Sequence, residues 1–112
     1  MDLTKINRVH FIGIGGIGMS ALAKYFLFKG VKESGYDKVE TDLTIKLSEG
    51  GAIIHYEDNI SLIPSIDQID LVVFTPAIPK SNSELIYFKK NNYPLQKRAK
   101  VLGNITKNYN TI

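Results

Sequence analysis

The sequence predicts an α/β domain: a Rossmann-like, doubly wound, mainly parallel five-stranded sheet in the order 3-2-1-4-5, with helices on both faces. Three observations carry that reading. Continuous apolar runs, Val9-His10-Phe11-Ile12 and Leu71-Val72-Val73-Phe74, alternate with segments of helical spacing, the pattern of a parallel sheet covered on both sides. A glycine-rich turn, Gly13-Ile14-Gly15-Gly16-Ile17-Gly18, joins the first run to the first helical segment. Right-handed crossovers then place the first strand at the centre of the sheet. With 112 residues, positions 1–112 make one domain with a core of its own.

Each element has a local reason. The first helix runs from Ile17 to Lys29 and stops at Gly30, a residue suited to the end of a helix. Its apolar positions Ile17, Ala21, Leu22, Tyr25, Phe26 and Phe28 cover more than one stripe. Two outcomes follow for such a helix: a tight core within the domain, or a second face turned to another domain. A short strand is expected over Val31–Tyr36, then a helix over Thr41–Glu49 with Leu43 and Leu47 at helical spacing. Ala52–His55 reads as the third strand and Ile69–Thr75 as the fourth. Pro76 and Pro79 break the pattern and stiffen the loop between them. Asn82 or Ser83 caps a helix through Asn91. Pro94-Leu95-Gln96 forms the last strand, and a final helix covers Arg98–Lys107.

Composition removes several classes of function. There is no cysteine, which excludes disulfides, thiolate metal sites and thiol nucleophiles. No apolar run approaches the ~20 residues of a membrane span, and the N-terminus lacks the pattern of a signal peptide. The expectation is a cytoplasmic protein that binds no membrane. The formal charge of +3 is mild, with lysines spread along the chain. A nucleic-acid binder concentrates its basic residues with interleaved aromatics, and no nucleic acid is expected here.

In a doubly wound sheet the ligand lies at the carboxyl ends of the strands, beside the first one. That rule selects Gly13 to Gly18, Asp37, His55 and the loop Thr75-Pro76-Ala77-Ile78-Pro79. Glycines let the chain turn sharply and let a diphosphate reach the unpaired amides at a helix start. Asp37 lies roughly 20 residues after the turn, where an acid often receives ribose hydroxyls. An ordinary turn aspartate is the competing reading. His55 either contacts a base or phosphate or closes its loop, while His10, inside the first strand, reads as a hydrogen-bonded core histidine. Thr75 and the prolines after it offer a preorganised wall facing the glycines. Arg98 either reaches an anionic group or is solvated.

Taken together, these segments resemble the N-terminal domain of the Mur ligase family. The match is carried by His10-Phe11-Ile12-Gly13-Ile14-Gly15-Gly16-Ile17-Gly18-Met19-Ser20, whose doubled glycine and Met-Ser tail are more specific than glycine spacing alone. Ser34-Gly35-Tyr36-Asp37, Gly51-Ala52 with His55 and Asn59, Ala77-Ile78-Pro79 with Asn82, Glu84 and Leu85, and Lys97-Arg98-Ala99 extend it from about Lys5 to Lys107. The resemblance is strongest to the branch that joins L-alanine to UDP-N-acetylmuramate in peptidoglycan precursor synthesis. It implies that Gly13, Gly15, Gly16, Ile17, Gly18, Met19 and Ser20 grip the UDP diphosphate. It likewise implies that Asp37, His55, Thr75, Pro76, Ala77 and Ile78 surround the uridine. Lys100 and Thr75-Pro76 depart from the family pattern, which often has an acid and a serine pair there.

The resemblance also implies a reaction with ATP and Mg2+ as cofactors and L-alanine as the second substrate. No G-x-x-x-x-G-K-[ST] phosphate loop occurs in the chain. The expectation is a substrate-holding domain with no cofactor, metal or catalytic residue of its own and no turnover by itself. Other readings share the glycine turn: a nicotinamide-dependent oxidoreductase domain, a dinucleotide-sensing regulator, the murein-peptide-recycling branch of the same family, and a purely structural interaction domain.

Overall fold

The computed structural model describes residues 5–63 and 69–108. The chain alternates strand and helix: β1 (Arg8–Ile12), α1 (Ile17–Phe28), β2 (Lys32–Tyr36), α2 (Asp42–Glu49) and β3 (Ile53–His55). A 3-10 turn (Ile60–Leu62) precedes β4 (Leu71–Phe74), α3 (Ser83–Lys90), β5 (Leu95–Lys97) and α4 (Arg98–Asn108). The five strands lie in the order β3-β2-β1-β4-β5. Every pairing is parallel, so the sheet is wholly rather than mainly parallel.

Strand alternation sends β1 into two cores. Val9 and Phe11 pack with Leu22, Phe26, Leu47 and Val101, beneath α1, α2 and α4. Ile12 packs on the opposite face with Val72, Leu85 and Phe88, beneath α3. Both faces are therefore covered, as the continuous apolar strands require.

Local chemistry explains where the elements begin. β4 starts at Leu71 rather than Ile69, and just before it the Asp70 carboxylate fastens the start of β1. Its Oδ2 accepts from the amides of Asn7 at 2.8 Å and Arg8 at 3.0 Å. α2 opens with a reciprocal cap: the Thr44 amide donates to Thr41 Oγ1, and the Thr41 amide to Thr44 Oγ1. α1 buries one stripe, Met19, Leu22, Ala23 and Phe26, whereas Ile17 and Phe28 at its two ends are each 86% exposed. The broad apolar distribution along this helix thus divides into a core stripe and two solvent-facing ends. No described helix is long and apolar enough to cross a membrane.

Candidate functional site

A cleft of about 720 Å³ opens where β1, β2 and β4 end. Strand order makes it: β1 is flanked by β2 and β4, whose following connections leave to opposite faces of the sheet. The floor is the glycine turn. Gly13 has φ +93°, in the left-handed region, and its amide and that of Ile14 both donate to the Tyr36 carbonyl at 2.8 and 3.0 Å. This tucks the turn against the end of β2 and aims the start of α1 into the cleft. Gly16 is the N-cap and supplies no side-chain acceptor, and no acid occupies the first turn of α1. Among the described residues, the amides of Ile17, Gly18 and Met19 have no backbone acceptor, the ordinary condition of a helix start.

A second positive feature faces the same space. Arg98, at the start of α4, lays its guanidinium across Gly18, where a Cβ would lie 2.8 Å from Nη1. Among the described residues it has no carboxylate partner. Helix amides and guanidinium together suit an anion of two or more oxygens.

Asp37 closes the turn from the β2 side. Its Oδ2 accepts from the Gly15 amide at 2.7 Å and its Oδ1 from the Lys38 amide at 2.7 Å. The carboxylate therefore lines the cleft while holding the glycine turn to β2, a role that the spacing rule for ribose-binding acids does not contain. On the opposite wall, Thr75 Cγ2 and the Ile78 side chain pack over Gly13 at 3.0 and 3.2 Å from where a Cβ would stand. The loop is braced by the Ile78 amide donating to the Thr75 carbonyl at 3.0 Å.

Of the residues singled out from sequence, Gly13, Gly15, Gly16, Ile17, Gly18, Met19, Asp37, Thr75, Ala77, Ile78 and Pro79 line this one cleft. Ser20, His55 and Pro76 are not among its lining residues. The Ser20 hydroxyl turns back to the Ile17 carbonyl at 3.0 Å. Tyr36, Lys38, Asp58, Ser81 and Asn82 line the cleft although the strand-end rule does not select them, as does Arg98, which the sequence leaves with two readings. Asn82 carries a signal as a helix cap, and it does accept from the Leu85 amide at 3.0 Å. Asp58 carries none, because its role depends on a contact 25 residues away.

That contact orders the start of α3. Asp58 accepts from the Ser83 amide at 2.9 Å, the Ser83 hydroxyl at 2.6 Å and the Glu84 amide at 3.3 Å. Burial works against its charge, but these donors hold its carboxyl below the usual range. Its stabilisation is therefore present above the unfolded pKa and is lost as pH falls through the lower folded value. Asp58→Ala is expected to lower stability by about 0.5–1.5 kcal/mol at pH 7, the net worth of an intramolecular hydrogen bond. Denaturant melts at pH 7 and pH 3 check this; an equal deficit at both would show that the carboxylate charge plays no part.

Behind the Tyr36 wall lies a buried polar chain. His10, wholly buried, has Nε2 at 2.8 Å from Glu84 Oε1 and Nδ1 at 2.7 Å from Ser34 Oγ. His55 Nε2 bonds the other oxygen, Glu84 Oε2. Burial pushes the His10 imidazole below its usual range, against the pull of Glu84. Burial opposes the charge of Glu84 too, yet the hydrogen bonds from both histidines outweigh it and keep its carboxyl low. Ser34, His10 and Glu84 are all closed to solvent, so this hydroxyl–imidazole–carboxylate series is no place for a substrate.

Comparison with known proteins decides the family. The sequence profile described as "Mur ligase family, catalytic domain" matches residues 8–110. The chain belongs to the Mur ligase family. Among its Mur ligase relatives, UDP-N-acetylmuramate–L-alanine ligase of Flavobacterium johnsoniae is 59% identical over 109 residues, covering 96% of this chain and 24% of the relative. The same-named ligase of Parabacteroides distasonis is 54% identical over 111 residues, with the same coverage. The crystal structure of UDP-N-acetylmuramate–alanine ligase from Thermotoga maritima superposes with a TM-score of 0.82 at 31% identity, over 90% of this chain and 23% of that one. The chain thus spans about a quarter of the length of the Mur ligases it matches.

Proposed function

We propose that this chain is the domain that holds the UDP part of UDP-N-acetylmuramate for its ligation to L-alanine. One observation carries the reading. The free amides of Ile17, Gly18 and Met19 and the guanidinium of Arg98 converge on a single cleft in a Mur ligase chain. A diphosphate supplies the charge and the acceptor oxygens that both features lack. The glycine turn, Gly13 to Met19, takes the diphosphate. Asp37 and the Thr75–Ile78 loop, on the flanking walls, take the uridine end.

In the reaction this reading implies, ATP phosphorylates the lactyl carboxylate. The amine of L-alanine then displaces phosphate from the acyl phosphate to form the amide. The residues described here bind and orient the nucleotide end of that substrate, and none is assigned a bond-making step. The ATP and Mg2+ of that reaction are not assigned to this cleft. A cytoplasmic site of action, alongside the nucleotide substrates, goes with this reading.

Titration with UDP-N-acetylmuramate, UDP and NADH, followed by backbone amide NMR, tests the proposal. Both uridine ligands are expected to move the amides of Gly13 to Met19 and of Thr75 to Ile78. Movement there with NADH and none with UDP would replace this reading with a dinucleotide site.

A further inference from the structure

We infer that Glu84 is a positioning residue of the cleft: its carboxylate fixes His10 and His55 as Nε2–H tautomers and thereby anchors the strand ends that carry Asp37. The inference builds on the cleft proposed above as the nucleotide site. It stands on geometry: the family pattern includes Glu84, but the sequence assigns it no role. Glu84 sits in the first turn of α3, wholly buried, with one oxygen on His10 of β1 and the other on His55 at the end of β3. A ring nitrogen meets each of its two oxygens, an arrangement that suits an ionised carboxylate, and its titration range is lowered accordingly; both oxygens then accept and both histidines present N–H. The remaining nitrogens agree. His10 Nδ1 is then an acceptor for the Ser34 hydroxyl at 2.7 Å. His55 Nδ1 is buried with no partner among the described residues; a bare lone pair there costs less than an orphaned N–H.

From His55 the connection to the cleft is short. The His55 carbonyl accepts from the Asp37 amide at 3.2 Å, and the Asp37 carboxylate accepts from the Gly15 amide at 2.7 Å. The His55 ring also packs beside Tyr36, with centroids 5.8 Å apart, and Tyr36 lines the cleft and supplies the carbonyl that seats Gly13 and Ile14. Glu84 therefore ties α3, β1 and β3 together directly behind the wall that positions the glycine turn. Removing its carboxylate leaves two buried N–H donors unpaired.

Ring 15N NMR of the unliganded chain, together with Glu84→Gln and Glu84→Ala, tests this. In the unmodified chain both rings are expected to show a protonated Nε2 and an unprotonated Nδ1; a proton on His55 Nδ1 overturns the inference. A glutamine offers one acceptor oxygen, so in Glu84→Gln one ring must change tautomer. His10 is expected to change, because the Ser34 hydroxyl can rotate to accept, while His55 and the Asp37 and Gly15 amides stay as they were. Two unchanged rings overturn the inference. Glu84→Ala is expected to shift the Asp37 and Gly15 amides and to weaken UDP binding about tenfold, from donors left unsatisfied behind the wall. Amide shifts confined to His10 and His55 overturn it. If the unmodified chain ignores UDP, the proposed function fails, and the ring nitrogens and amides still decide the role of Glu84.

Discussion

Gly15→Ala is expected to abolish detectable UDP binding and to destabilise the chain, whereas Gly16→Ala is expected to leave stability unchanged. The three central glycines of the turn differ in what surrounds them. A Cβ on Gly15 would lie 2.7 Å from Asp37 Oδ2 and 2.8 Å from Thr44 Cγ2. Asp37 cannot swing away without breaking its bond to the Gly15 amide, and Thr44 is wholly buried. Overpacking of this kind costs about 1–3 kcal/mol. The displaced turn also loses charge-assisted contacts to the diphosphate, each worth about 1.5–3 kcal/mol. A Cβ on Gly16 meets nothing closer than 3.7 Å. Gly18→Ala falls between them, because its obstacle is the end of the Arg98 side chain, which moves at little cost to the fold. That variant is expected to keep its stability and to lose about tenfold in UDP affinity, the effect of one weakened charged contact. Calorimetric titration and thermal melts on the three variants distinguish these outcomes. Equal affinities would remove the turn from the site.

The second large effect lies at the other end of the sheet. Glu33 is 4% exposed, and among the described residues neither carboxylate oxygen has a hydrogen-bond partner. Burial pushes its carboxyl up to about 8. Between the unfolded value and about 8, the folded chain holds a proton that the unfolded chain has released. Stability therefore falls as pH rises through that window and levels off above it. The loss is on the order of 5 kcal/mol, since the carboxyl rises from 4.5 to about 8 and each tenfold change in proton affinity is worth about 1.4 kcal/mol. Glu33→Leu is expected to raise the denaturation midpoint most at pH 9 and least at pH 5. Parallel pH profiles for the two proteins would show that Glu33 remains ionised in the fold.

Glu33 also shows where the sequence misleads. A glutamate in a short strand reads as a solvent-facing position, since charged residues are seldom fully buried. Its burial follows from the register Val9↔Glu33, which turns it toward the α1 side, and register is a tertiary fact. The elements themselves are legible because apolar runs and helical spacing are local signals. So is strand order, because crossover handedness leaves few choices. The glycine turn and the Thr75 loop are likewise visible, as each is a contiguous motif at a strand end. Asp58, Tyr36 and the part played by Glu84 are not, since each acts through a partner that only the folded chain brings near. Arg98 is ambiguous for the same reason. Nothing in its neighbours along the chain says that it lies across Gly18.

Arg98 and the start of α1 come from distant parts of the chain, yet both face one side of the cleft, with the carboxylates of Asp37 and Asp58 on its other walls. An anion bound as proposed would touch both helices at once, so its binding would also hold α4 against α1.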